Sequence, residues 1–168
     1  PFSPSLRWSP AVNIASLLTD AAKERPSHPA FVYEGRSLSY EQLDRLTGRF
    51  AHAIRALGVP DGGVIGIFLE SSPELAVAYL GALKAGGVPN VVNGFLRPEE
   101  VRHVVADSGA KLLVTDPGRH DQLAPVRDGM GIDRAVVTGW EPDVHGDLAF
   151  DGLLDGRPET FDPLHLDP

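Results

Sequence analysis

Apolar residues in this chain recur first at helical and then at strand spacing, and the switches between the two divide it into elements. Ile14, Leu17, Leu18 and Ala21 repeat at helical spacing behind Asn13, a residue suited to capping a first turn. Pro26 and Pro29 end that helix. Residues 30–34 and 36–38 flank a Glu34-Gly35 turn and predict a short hairpin. A second helix starts at Ser39, with Gln42 three residues on, the spacing of a capping box. Its stripe is Leu43, Leu46, Phe50, Ile54 and Leu57, and Gly58 supplies a left-handed stop. Residues 64–69, Val-Ile-Gly-Ile-Phe-Leu, form a continuous apolar run that suits a parallel strand covered on both faces.

Ser72-Pro73-Glu74 opens an almost uncharged helix that Gly86 and Gly87 close, and its core side is expected to carry Leu75, Tyr79, Leu80 and Leu83. Strand 88–92 follows at once. Arg97-Pro98-Glu99-Glu100 starts a helix with Val101, Val104 and Val105 on one face. Lys111–Thr115 is a strand, residues near 119–128 are helical, and 134–138 is a further strand. This alternation predicts an α/β fold: three layers, with a mainly parallel sheet flanked by helices and the strands at 64–69, 88–92, 111–115 and 134–138 at its centre. The core spans about 13–138 of a single 1–168 segment. Beyond Gly139 the pattern decays into an acidic, Pro/Gly-rich tail, 139–168, broken by an apolar patch at 150–154. The stretch from 141 onward is expected to be the least ordered part.

The 168 residues suffice for one domain with a real core. Net charge is −8, yet residues 141–168 hold eight acids against Arg157, leaving the body near neutral. With no basic stripe, nucleic acid is not an expected partner. No run approaches the roughly 20 apolar residues of a membrane span, and no signal-peptide layout opens the chain. Cysteine is absent, so disulfides and thiolate chemistry are excluded. A cytoplasmic protein is expected.

Chemistry-bearing patterns are few. Gly129-Met130-Gly131 lacks the third glycine of a dinucleotide fingerprint, and Gly62-Gly63 precedes a strand, so both read as turns. His28, His52, His103, His120, His145 and His165 are scattered without ligand spacing. Glu99 and Glu100 suit a helix start. Lys84, a lone cation near the end of an apolar helix, reads as a cation at the negative helix end with its stem over apolar surface, rather than as a catalytic lysine. No catalytic, cofactor-binding or metal-binding residue is assigned.

Four segments, in order, resemble the adenylate-forming family of acyl-CoA synthetases, luciferases and peptide-synthetase adenylation domains. They are Leu38-Ser39-Tyr40-Glu41-Gln42-Leu43, residues 64–74, residues 80–89 (Leu-Gly-Ala-Leu-Lys-Ala-Gly-Gly-Val-Pro), and Leu96–Glu100 with Asp107–Ala110. The Leu-Arg-Pro-Glu-Glu form is closer to acyl-CoA synthetases, while Asn90-Val91-Val92-Asn93-Gly94 departs from the run common there. The resemblance implies an incomplete N-terminal subdomain of the adenylate-forming fold, about a third of a longer enzyme. That enzyme is expected to use ATP, Mg2+ and coenzyme A on a fatty or other hydrophobic carboxylic acid. Arg97 is then either a neighbour of the coenzyme A phosphates or a solvated helix-start residue, the second being preferred. The family's Ser/Thr/Gly-rich phosphate loop, ending Pro-Lys-Gly, does not occur in these residues. The segment alone is therefore expected to bind ATP poorly, to be inactive and to self-associate. A free-standing α/β interaction or regulatory module remains the alternative.

Overall fold

The computed structural model describes residues 13–140 and 146–163. Helix α1 (Ile14–Glu24) leads into a hairpin of β1 (Pro29–Tyr33) and β2 (Arg36–Ser39). Glu34 and Gly35 both take positive φ in its turn, the conformation that matches the twist of a two-residue hairpin. Ser39 then caps α2 (Tyr40–Ala56). Its Oγ accepts from the Gln42 amide at 3.2 Å, and Gln42 Oε1 accepts from the Ser39 amide at 2.9 Å.

From there strand and helix alternate: β3 (Val64–Phe68), α3 (Pro73–Lys84), β4 (Val88–Val91), α4 (Pro98–Ser108), β5 (Leu112–Thr115), α5 (Pro117–Leu123), a 3-10 turn (Ala124–Gly129) and β6 (Arg134–Val137). A short β7 (Leu148–Ala149) and α6 (Phe150–Leu154) follow. The five strands form one all-parallel sheet in the order β4-β3-β5-β6-β7. Alternate side chains point to opposite faces. Ile65, Ile67, Leu112, Val114 and Val136 pack with α2, α3 and α6, and Phe68 and Leu113 pack with Val101 and Val105 of α4, Leu123 and Met130. This is the expected three-layer α/β arrangement.

Three expectations change. The run at 88–92 lies at the edge of the sheet, with Val88 and Val91 48% and 47% exposed, and β3, β5 and β6 take the interior. Helix α3 is covered on all sides, but its fully buried apolar face is Val77, Ala78, Gly81 and Ala82, and Leu75, Tyr79, Leu80 and Leu83 are only half-buried. Close approach of α2 is the cause: a Cβ at Gly81 would lie 2.8 Å from Phe50 Cδ1 and 3.0 Å from the Thr47 carbonyl. Small residues let the backbones touch, and the large ones splay to the flanks.

Third, the tail does not fall away at 139. Phe150 enters the core and stacks on Phe50, ring centroids 5.7 Å apart, with Leu153 and Leu154 beside it. The chain then crosses α2, where a Cβ on Gly48 would collide with the Glu159 carbonyl. Arg49 binds Glu159 at 2.6 Å, and His52 meets Phe161 edge-on at 4.7 Å. The remaining tail residues, 141–145 and 164–168, lie outside the described residues. At the other end, Ile14 and Leu17 of α1 are 58% and 62% exposed, and only Ala15 and Leu18 are buried.

Candidate functional site

Strand β3 leads through α3 to β4 on one side, and its neighbour β5 leads through α5 to β6 on the other. Where connections diverge from adjacent parallel strands, a crevice opens beyond their C-terminal ends, and ligands of α/β sheets bind there. Leu69, Glu70 and Ser71 follow β3, and Asp116 follows β5. Asp116 caps α5 by accepting from the Arg119 amide at 2.9 Å, which aims the Arg119 side chain back over the strand ends. The guanidinium binds Asp116 Oδ2 at 2.6 Å and Glu70 Oε1 at 3.0 Å and lies 5.1 Å from the Phe68 ring centroid. Burial opposes its charge, but the two carboxylates outweigh burial and raise its pKa. Thr115 Oγ donates to the Phe68 carbonyl at 3.1 Å, tying the two strand ends together.

A recess of ≈420 Å3 opens here, bounded by Tyr33, Leu69, Ser71 and Phe95 around the Glu70–Arg119 pair. Phe95 is 97% exposed, in a turn held by its own amide donating to Asn93 Oδ1 at 3.0 Å. The edge thus offers an aromatic face, hydroxyls and one cation between two carboxylates. Two acids against one base leave little positive field for a polyphosphate. Among the described residues no group of three or more His, Asp or Glu is placed to hold a metal ion. These residues form one wall of a crevice.

The residues weighed from the sequence disperse over the fold. Arg97 is exposed at the start of α4, where its amide donates to Glu100 Oε2 at 2.8 Å. That bond, with the Arg97 side chain, lowers the Glu100 pKa. Glu99 pairs with Arg102. Lys84 is fully buried: its ammonium leaves the end of α3 and donates to Asp44 Oδ1 at 2.6 Å and to the Asp44 carbonyl at 3.0 Å. Thr19 donates to the same Oδ1 at 2.8 Å, so one carboxylate joins α1, α2 and α3. Burial lowers the Lys84 pKa, with Asp44 acting against that.

Among the described histidines, His120 alone enters a buried cluster. Its Nε2 lies 3.0 Å from Asp147 Oδ2, and Arg127 grips both Asp147 oxygens at 2.6 Å. The Ala135 amide donates to Oδ1 at 2.8 Å, which fixes β7 beside β6. Burial pushes the Asp147 pKa up, but the bonds from Arg127, Ala135 and His120 prevail and lower it. Asp44, Arg119, Arg127 and Asp147 were not singled out from the sequence. The one hint was position: Asp147 stands three residues before the apolar patch at 150–154, and Arg119 follows a strand end by four residues.

A sequence model described as AMP-binding enzyme matches residues 18–160. The chain belongs to this family. It is 35% identical over 136 residues to a 3-hydroxybenzoate–CoA/4-hydroxybenzoate–CoA ligase of Thauera aromatica, covering 79% of this chain and 26% of that one. It is also 37% identical over 109 residues to a fatty acid–acyl-carrier-protein ligase of Streptomyces coeruleorubidus, covering 65% and 20%. The anthranilate CoA ligase AuaEII in complex with anthranoyl-AMP shares the fold, with a TM-score of 0.89 at 21% identity over 95% of this chain and 31% of that one. The chain spans about a quarter of the length of the hydroxybenzoate–CoA ligases it matches. Among the described residues no helix is long and apolar enough to cross a membrane.

Proposed function

We propose that this AMP-binding segment is the scaffold of an ATP-dependent acid–thiol ligase, which makes an acyl-adenylate and passes the acyl group to coenzyme A. The supporting observation is the family match over residues 18–160 together with 35% identity to a hydroxybenzoate–CoA ligase. ATP, Mg2+ and coenzyme A are the reagents this reading requires, and the acid is a hydrophobic one, aromatic or fatty. Members named for both kinds of acid, and for a carrier protein as thiol acceptor, stand among the relatives. The segment contributes the sheet and one wall of the crevice at the ends of β3 and β5. The donors that stabilise charge on the α-phosphate come from elsewhere in a longer protein, because such donors have to converge on the reacting oxygens. The cytoplasm is the compartment expected on this reading.

Acid-dependent exchange of pyrophosphate into ATP by the full-length protein, followed by thioester formation with coenzyme A, is the test. Exchange without transfer to coenzyme A refutes the thiol half of the reading. Absence of exchange across aromatic and fatty acids favours the non-catalytic α/β module. The 168 residues alone are expected to show neither activity. They are also expected to self-associate through apolar residues such as Val32, Val88, Val91 and Phe95, which stand 47–97% exposed. A concentration-independent monomer in sedimentation refutes that expectation.

A further inference from the structure

The sheet face covered by α4 and α5 contains a cavity of ≈320 Å3 between β5, β6 and the 3-10 turn, which shares only Thr115 with the crevice residues at the strand ends. Leu113, Leu123, Met130 and Ile132 supply apolar walls, and His120, Arg127 and Asp147 stand at one end. A volume at the low end of about 300–1,000 Å3, apolar walls and a few convergent polar groups are the marks of a small-molecule site. We propose that this cavity binds a small neutral molecule with an apolar body and one hydrogen-bond acceptor, such as an aryl ketone.

The polar end determines the class. Asp147 has 1% of its side chain exposed, and its two oxygens already take four contacts, from both Arg127 terminal nitrogens, His120 Nε2 and the Ala135 amide. It has no capacity left to receive a donor from a ligand. Arg127 Nη1 also lies 3.5 Å from His120 Nε2, while Nη2 carries a second N–H beyond the one given to Asp147, and the side chain is 30% exposed. The end therefore presents donors. Its formal charge is cancelled by the Arg127–Asp147 pair, so a desolvated anion would gain no net counter-charge while losing its hydration. A carbonyl, which needs one donor and loses little on desolvation, suits it better. Apolar walls of this kind take up small apolar molecules readily.

Met130 is the sole methionine of the chain and is 1% exposed on the cavity wall, so its εCH3 resonance reports occupancy without ambiguity. Acetophenone titrated into protein carrying 13C-methyl methionine is expected to shift that signal saturably. Ethylbenzene, of like shape without the acceptor, is expected to bind about tenfold more weakly. Ala135→Leu fills the cavity from β6 and Leu123→Trp fills it from α5. Each is expected to weaken acetophenone about tenfold in whichever variant keeps the wild-type circular dichroism. A shift that fails to saturate, equal binding of ethylbenzene, or undiminished binding in a folded filled variant overturns the proposal. None of these readouts depends on ligase activity.

Discussion

Replacing Asp44 by alanine leaves the Lys84 ammonium, with 1% of its side chain exposed, holding only the Asp44 carbonyl at 3.0 Å. Removing one partner of a buried pair strands the other charge, at a cost of about 3–5 kcal/mol. Set against a total stability of about 5–15 kcal/mol, that is a large loss. The reverse deletion is milder. Lys84→Met keeps the volume, removes the buried charge, and leaves an Asp44 carboxylate that is 21% exposed and still bonded to Thr19. Exchange of a buried ion for a well-packed apolar chain is often neutral, so the expected cost is about 1 kcal/mol or less. The double variant is then expected within about 1 kcal/mol of Lys84→Met alone, a strong coupling between the two sites. Urea unfolding followed by circular dichroism measures all three. Equal costs for the two single variants, or additive ones, refute the stranded-charge account. Burial lowers the folded-state pKa of Lys84 below its ordinary 10.5. The folded protein thus gives up this proton before the unfolded chain does. As pH rises from that lowered value to 10.5, wild type is expected to gain stability relative to Lys84→Met, and a difference that shrinks over this range contradicts the sign.

Gly48→Ala places a methyl against the Glu159 carbonyl and is expected to cost about 1–3 kcal/mol, with the His52 ring signals losing the shift induced by Phe161. Phe50→Ala, at a site with no exposure, is expected to cost about 3–5 kcal/mol, while half-buried Leu80→Ala costs less than the roughly 2–5 kcal/mol of a fully buried leucine; denaturant midpoints rank the two. Asp147 has a folded-state pKa below its ordinary 3.8, so its contribution is full above 3.8 and is lost as pH falls through the lowered folded value. The stability gap between wild type and Asp147→Asn is therefore expected to narrow under acid titration only below pH 3.8.

Elements whose cause is local were legible in the sequence. The Ser39–Gln42 box, the Glu34-Gly35 turn and the run at 64–69 each carry their determinant within a few residues, and each appears where the pattern placed it. Features set by partners far along the chain were not. The buried side of α3 depends on how near α2 comes, and apolarity alone favoured the leucines over Gly81. Strand β7 has two residues, and its place depends on Asp147 reaching Arg127, 20 positions away. The edge position of β4 is a matter of strand order, which a run of valines does not encode. Lys84 was read as structural, but its partner lies 40 residues back on another helix. The crevice wall could not be assembled, because Arg119 meets Glu70 across 49 positions.

The strap that residues 159–161 lay across α2 has a consequence for synthesis. Arg49 and Glu159 are separated by 110 positions, and a ribosome adds about 5–20 residues per second, so roughly 5–20 s pass between their emergence. Throughout that interval the outer side of α2, with the notch at Gly48, stands without its cover, and for most of it the Phe50 ring lacks Phe150. Helix α2 is thus closed over long after it is made, and a nascent chain halted before residue 150 exposes there a landing place for a chaperone.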